Sequence, residues 1–137
     1  MLHVKIITPR KLVKEMDAIS VTLPTTEGEI TILHAHADLL TLLKEGILTI
    51  KTEKSEEYLS VGGGFMETDG KNLTILVSRA FGQDEINEEM TNKALENAKN
   101  ILEKNEEKTE RDEALSTIRR STIDMKLLSK IKRRRKV

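Results

Sequence analysis

Three groups of residues in this 137-residue chain have types and spacings that chemistry uses. The first is His34-x-His36-x-Asp38. Alternate residues of a strand point the same way, and imidazole and carboxylate both bind zinc, so this spacing is compatible with a metal site. The only further histidine is His3 and there is no cysteine, which leaves the site without a third or fourth ligand and a second shell. A polar loop is the plainer reading. The second group, Gly62-Gly63-Gly64, resembles a phosphate cradle, but no Gly-Lys-Ser/Thr follows it and no helix opens after it. Glycines within a strand more often mark a bulge or a close backbone approach. The third is a basic set near the C-terminus: Arg119, Arg120, Lys126, Lys130, Lys132, Arg133, Arg134, Arg135 and Lys136. No nucleophile elbow or base-and-acid pairing accompanies the serines and carboxylates, so a catalytic role is not expected.

The elements that would position these residues are of two kinds. From Leu2 to about Gln83 the texture is β. Val4 and Ile6 flank Lys5, Ile19, Val21 and Leu23 alternate with Ser20 and Thr22, Ile30 and Ile32 alternate with Glu29 and Thr31, and Leu73, Ile75 and Val77 alternate in turn. The strand beginning at Gly28 stops at the histidines. Leu39-Leu40-Thr41-Leu42-Leu43 follows, then Lys44-Glu45-Gly46, where Gly46 suits the positive φ of a tight turn, then a strand from Ile47 to Ile50. Turn chemistry at Pro9-Arg10, Pro24-Thr25, Glu27-Gly28 and Asp69-Gly70 separates the runs, and Asp69-Gly70 has the setting of a hairpin turn. Many short strands with frequent turns argue for an antiparallel sandwich or barrel.

Residues 83–137 contain neither glycine nor proline, the mark of a helical tail. Ile86, Met90, Ala94, Ala98, Ile101 and Leu102 recur at helical spacing, with Leu95 at the edge of the stripe. Asp84 or Asn87 suits the N-cap, and the acidic cluster Asp84, Glu85, Glu88 and Glu89 suits the helix dipole. A second stripe runs through Leu115, Ile118, Thr122, Met125 and Leu128 to Ile131. The polar link from Lys104 to Glu110 offers Asn105 as a terminator and Thr109 or Asp112 as a start. The expected helices span about 87–104 and 110–133. With no breaker in the link, the pair can close as a permanent hairpin or open into one long helix.

Composition sets further limits. Phe65, Phe81 and Tyr58 are the only aromatic residues, so the core must be Ile, Leu and Val. The absence of cysteine excludes disulfides, thiolate catalysis and cysteine zinc sites, and mildly favours a reducing compartment. Lys5, Arg10, Lys11 and Lys14 interrupt the first apolar run too early for a signal peptide, and no run approaches the ~18 apolar residues of a membrane span. Residues 1–83 carry 9 basic and 11 acidic side chains, 84–113 carry 5 and 11, and 114–137 carry 9 and 1, so a net charge of zero hides a strongly basic end that calls for an acidic counterpart.

Two motifs carry a family resemblance. Gly28, Glu29, Leu33, His36, Ala37, Leu39, Leu40, Thr41, Leu43, Lys44 and Gly46 fall on the pattern Gly-Glu-(Leu or Phe)-Gly-Ile-Leu-Pro-x-His-Ala-Pro-Leu-Leu-Thr-x-Leu-Lys-x-Gly, and Val61-Gly62-Gly63-Gly64-Phe65-Met66-Glu67 is similar to Ser-Gly-Gly-Phe-x-Glu at the matching distance. Both are signatures of the epsilon subunit of F-type ATP synthases, and the chain resembles that family in length and element order. His34 and Asp38 stand where the family usually has proline. The resemblance implies an α+β protein, with an N-terminal antiparallel β-sandwich of about ten strands (1–84) followed by a C-terminal two-helix hairpin able to extend (85–137).

The resemblance also implies a non-catalytic central-stalk rotor subunit without cofactor, peripheral at the cytoplasmic face of the bacterial cell membrane. It would join the gamma subunit to the rotor c-ring, with Glu29 and His36 as ring contacts, in a motor driven by protons or sodium ions. The helical tail would restrain ATP hydrolysis, and the nine basic residues would hold the extended tail against beta (and alpha) subunits. Some members bind ATP through Ile/Leu-Asp-x-x-Arg-Ala. Here Ile86-Asn87-Glu88-Glu89-Met90-Thr91 lacks the carboxylate, the arginine and the alanine, and its glutamates repel polyphosphate, so no such site is expected. From another class, the rival reading is a small nucleic-acid-binding module with a basic C-terminal helix, for which Lys130 to Lys136 speaks. Against it, the sandwich lacks an aromatic stacking platform.

Overall fold

A computed structural model describes residues 1–104 and 107–135, with side chains through Arg133. Ten strands come first: β1 (Leu2–Ile7), β2 (Leu12–Ala18), β3 (Ser20–Thr25), β4 (Gly28–Leu33), β5 (Leu39–Leu43), β6 (Gly46–Lys51), β7 (Glu56–Val61), β8 (Gly64–Thr68), β9 (Asn72–Val77) and β10 (Ala80–Gly82). After a single 3-10 turn, Gln83–Glu85, come α1 (Glu88–Lys104) and α2 (Lys108–Arg135). Contacts divide the chain into two compact units, Met1–Gly82 and Gln83–Val137.

The strands form one hydrogen-bonded path, β10-β7-β6-β3-β5-β8-β9-β1-β2, with β4 on the other side of β3. Strand β3 meets β6 through Ser20 to Thr22 but meets β5 only at Thr25 opposite Leu43. The path folds at that single pair into two layers, β4-β3-β6-β7-β10 and β5-β8-β9-β1-β2. The pairing of β1 with β9 is parallel and the other ladders are antiparallel. The core between the layers is what the alternation dictates. Leu2, Val4 and Ile6 of β1, Val21 and Leu23 of β3, Leu48 and Ile50 of β6, and Leu73, Ile75 and Val77 of β9 are buried, with the flexible thioether of Met66 among them. An ion pair between Lys14 on β2 and Glu57 on β7 joins the edge of one layer to the other.

Two expectations change here. The run Leu39–Leu43 is a strand, β5, so residues 28–50 hold three strands where the alternation shows two. Gly46 is needed for a different reason as well: its φ is not positive, and a Cβ there would lie 2.9 Å from the Pro24 ring. The glycine permits a close approach of β6 to β3 rather than a left-handed turn.

In the tail, Asn87 is the N-cap, its Oδ1 accepting from the Met90 N–H at 3.0 Å. The first helix therefore starts one residue later than expected. The second starts earlier, at Lys108, because the Arg111 N–H already bonds the Glu107 carbonyl at 3.0 Å. Thr109 and Asp112 thus lie inside the helix, and Asn105 lies outside the described residues. Among the described residues, the buried side chains of the two helices are Ala98, Ala114, Ser121 and Leu127. Met90 is 68% exposed, Ile101 42% and Leu115 41%, and Thr122 is exposed too. In α1 the seam keeps Ala98 of the expected stripe, with Ala94 and Leu102 half-buried, while in α2 it runs through Ala114, Ser121 and Leu127, one step round from Leu115, Thr122 and Leu128.

Candidate functional site

Glu29 enters through the β3–β4 hairpin. At its turn the Thr25 hydroxyl donates to the Gly28 carbonyl and accepts from the Glu27 N–H, with Gly28 at φ 124°. Glu29 then lies opposite Pro24, exposed, on the outer edge strand β4. His36 lies three residues beyond the far end of the same strand. Four residue steps along the strand separate Glu29 from Leu33, about 13 Å. The structure places these two side chains at opposite ends of the sandwich and does not bring them together.

The loop that carries His36 is tightly tied. Ala35 sits at φ 68°, an uncommon conformation for a residue with a Cβ. Its N–H donates to the Gly70 carbonyl at 2.7 Å, and the His36 N–H donates to Leu33 at 3.2 Å. His36 Nδ1 donates to the Ala37 carbonyl at 2.7 Å. The strand ends at Leu33, so His34, His36 and Asp38 are loop residues, and the alternation that would have aligned them as ligands is absent. Among the described residues no group of three or more metal-binding side chains is arranged to hold an ion. The glycine triplet is likewise engaged by backbone, the Gly62 N–H donating to Arg79 at 2.9 Å and the Ser78 N–H to Gly63 at 3.0 Å. This is the close approach that missing side chains allow.

The feature that sequence reasoning missed is an apolar row across the outer face of the second layer. Register places Leu42 opposite Phe65, Phe65 opposite Leu76, Leu76 opposite Ile7, and Ile7 opposite Leu12. In each strand the flanking residues Leu43, Met66, Ile75, Val77 and Ile6 point into the core, so the row points outward. Leu42 is 63% exposed, Leu12 51% and Phe65 41%, and Leu40 adds a further side chain at 67%. The run Leu39–Leu43 held the signal: a strand apolar on both faces must cover both. Exposed apolar side chains gathered in this way are the composition that docking surfaces share. Beside the row, towards the other end of β1 and β2, lies a charged cluster. His3 Nδ1 donates to Asp17 at 2.9 Å, Nε2 contacts Glu15 at 3.2 Å, and Lys5 lies 3.6 Å from Glu15. Asp17 first, and Glu15 with it, hold the imidazole above its ordinary value of 6.5.

In the tail, Lys132 Nζ donates to both carboxylate oxygens of Glu88 at 3.0 Å, tying the end of α2 to the start of α1. At the opposite end Arg111 Nη1 donates to the Leu102 carbonyl at 2.6 Å, satisfying one of the orphan acceptors of the first helix. Of the basic set, Arg119, Arg120, Lys126, Lys132 and Arg133 are exposed and Lys130 is half-buried. The side chains of Arg134 and Arg135, and the whole of Lys136, lie outside the described residues. Among the described residues no helix is long and apolar enough to cross a membrane.

The architecture is a sandwich with an exposed apolar row, followed by a clasped helical pair. The family profile described as ATP synthase, Delta/Epsilon chain, beta-sandwich domain matches residues 1–83. The chain is 31% identical over 133 residues to the ATP synthase epsilon chain of Endomicrobium trichonymphae, covering 97% of this chain and 96% of that one. It is 33% identical over 131 residues to the chloroplastic ATP synthase epsilon chain of Cyanidium caldarium, covering 96% and 98%. The chain belongs to the epsilon-subunit family of F-type ATP synthases. In fold it is similar to a chain in the cryo-EM structure of the Euglena gracilis mitochondrial ATP synthase OSCP/F1/c-ring assembly, with a TM-score of 0.76 at 21% identity, covering 95% of this chain and 80% of that one. A second likeness, to a chain of the Tetrahymena thermophila mitochondrial ATP synthase central stalk and c-ring, has a TM-score of 0.56 at 18% identity, covering 88% and 93%.

Proposed function

We propose that this protein is the non-catalytic rotor subunit that joins the gamma subunit to the c-ring in an ion-driven ATP synthase, peripheral at the cytoplasmic face of a bacterial membrane. The observation that carries this reading is the outward row Leu12, Ile7, Leu76, Phe65 and Leu42. Water disfavours such a surface, and covering it supplies the free energy of a permanent subunit contact. We assign the row to gamma. Glu29, on an exposed hairpin end, is assigned to the ring. His36 shares the ring only if the ring runs side-on along the edge strand β4, and separate Glu29→Ala and His36→Ala variants decide between that and end-on docking.

The tail is the proposed regulator. Closed, it pairs Lys132 with Glu88. Extended, it would present Arg119, Arg120, Lys126, Lys130, Lys132, Arg133, Arg134, Arg135 and Lys136 to acidic surfaces of the beta and alpha subunits and restrain ATP hydrolysis. The nucleic-acid reading rests on tail charge alone and predicts salt-sensitive DNA retention of the whole chain. The test is reconstitution. The full chain should co-purify with gamma, and a chain ending at residue 84 should still bind gamma while hydrolysis by the assembled enzyme rises. Failure of the full chain to join gamma refutes the rotor reading, and unchanged hydrolysis on truncation refutes the regulatory one.

A further inference from the structure

We infer that the β8–β9 turn, through Gly70 and Asp69, is the positioning element of the loop from His34 to Asp38, holding it at the rim of the apolar row so that both meet the same partner. This rests on the assignment of the row to gamma. The turn is built around Asp69, whose Oδ1 accepts from the Asn72 N–H at 2.7 Å and the Lys71 N–H at 2.9 Å, while Oδ2 accepts from the Asn72 side-chain amide at 3.3 Å. Those donors, the Asn72 N–H first, hold the carboxyl below its ordinary value. The Thr68 hydroxyl donates to the Asn72 carbonyl at 2.9 Å and accepts from the Gly70 N–H at 3.2 Å. The N–H groups of Asp69, Gly70, Lys71 and Asn72 are thus all held within the turn, while the Gly70 carbonyl points out of it and takes the Ala35 N–H.

Gly70 meets two requirements at once. Its φ is +92°, and a Cβ would stand 2.8 Å from the His36 carbonyl oxygen. Any side chain there must push the loop away or give up the turn. Ala35, facing it, stays at φ 68°, which a residue with a Cβ keeps only where its surroundings over-determine it. The same loop runs directly into β5. Asp38 is followed by Leu39, and Leu40 stands outward beside the row while Leu39 pairs with Thr68 at the root of the turn. The loop therefore reaches the row through Leu40, on the outer face of β5 in the second layer, whereas Glu29 stands on β4 of the other layer, which favours the row's partner over whatever meets the hairpin of Glu29.

Gly70→Ala in the full chain should lower gamma affinity about tenfold, because the loop conformation that binds becomes the minor one. Ring association tested with Glu29 intact should stay within about twofold, and hydrogen exchange at the Ala35 amide should speed up. Asp69→Ala, which loosens the turn without adding bulk, should act in the same direction. Asp69→Asn, which keeps an Oδ1 acceptor, should restore most of the affinity, a distinction that general destabilisation does not make. Gamma affinity unchanged in both Gly70→Ala and Asp69→Ala, with Leu42→Ala still weakening it, overturns the positioning role alone. Loss of ring association in place of gamma affinity overturns the assignment of the loop to the row's partner. If Leu42→Ala has no effect either, the gamma face is misassigned and the inference falls with it. An Ala35 amide as protected in Gly70→Ala as in the parent overturns the inference whatever the partners do.

Discussion

Truncating Leu42 and Phe65 together to alanine should detach the protein from gamma without unfolding it. Fully burying a leucine or phenylalanine side chain stabilises by roughly 1.5–3 kcal/mol. Leu42 keeps 63% of its surface in water and Phe65 keeps 41%, so that fraction remains to be gained on docking. Scaled in this way, the pair contributes about 2–3 kcal/mol, and truncation leaves the two Cβ atoms in place. The expected loss of affinity is about 10- to 100-fold. The cost to folding is comparable, since the same scaling applied to the surface the two side chains already bury gives about 1.5–3 kcal/mol, cross-strand contact included. In a domain of this size that lowers Tm by roughly 5–20 °C, which melts resolve from loss of the fold. Because the two residues touch the same surface, their single effects need not add, and the two single variants complete the double-mutant cycle. Calorimetric titration of the variants with gamma, beside thermal melts of each protein alone, measures both quantities. A double variant that binds gamma within twofold of the parent refutes the assignment of this face, and one that fails to fold shows that the row supports the sandwich itself.

Three further outcomes follow from particular contacts. His3 has a folded pKa above the unfolded 6.5, so its contribution is fully present below pH 6.5 and is lost as pH rises through the folded value; the stability difference between parent and His3→Gln should therefore shrink across that window in melts at stepped pH. A difference that grows with pH would overturn the assignment of the Asp17 and Glu15 contacts. Ala35→Gly should stabilise by up to about 1 kcal/mol, because relief of the left-handed conformation, about 1–2 kcal/mol, exceeds the extra chain entropy of glycine, about 0.5–1 kcal/mol; destabilisation in urea would show that the Ala35 methyl group packs usefully. Replacing Lys130, Lys132, Arg133, Arg134, Arg135 and Lys136 with glutamine should raise ATP hydrolysis by the assembled enzyme while leaving gamma binding intact, and high salt should mimic it in part; equal hydrolysis rates, with tail deletion still activating, would move the brake to the apolar seam of α2.

How much of this was legible in the sequence depended on the range of the interaction. Period-two alternation placed β1, β3, β4 and β9 because one face of each is buried and local pattern records that directly. It missed β5, where Leu39, Leu40, Leu42 and Leu43 erase the alternation by being apolar on both faces. Capping chemistry included Asn87 among its candidates because its partner is three residues away. The stripe of α1 held at Ala98, whereas that of α2 was displaced by one residue, because Leu115 and Leu128 attract attention while the seam is set by how closely two helices approach, which favours Ala114 and Ser121. The parallel pairing of β1 with β9 and the Ala35–Gly70 hydrogen bond join residues far apart in the chain, and no local signal carries either. For Gly70 the sequence showed a turn, but not that its missing side chain makes room for the His36 carbonyl.

The composition of that seam bears on why a tail of this kind can serve as a regulator. The sandwich buries seventeen apolar residues in one cluster, whereas the buried side chains among the described residues of the tail are two alanines, a serine and one leucine. Alanine loses no side-chain entropy on burial and gains little, about 0.8 kcal/mol per methyl-sized group. Small residues let two helices lie close without strongly opposing their separation. The clasps at the two ends, Lys132 on Glu88 and Arg111 on the Leu102 carbonyl, add polar contacts of which the exposed ion pair contributes only about 0.2–1 kcal/mol. The link between the helices contains no glycine or proline that would penalise a continuous helix. Moving a two-state tail from 1:99 to 99:1 requires about 5.5 kcal/mol of differential contact. Each helix carries its own backbone hydrogen bonds in either arrangement, so what distinguishes closed from open is mainly this seam, the half-buried apolar side chains beside it such as Leu102, Ile118 and Leu128, and the clasps. On the proposed reading, the basic residues released towards an acidic surface supply that difference, while the separately packed sandwich keeps the contact proposed for gamma.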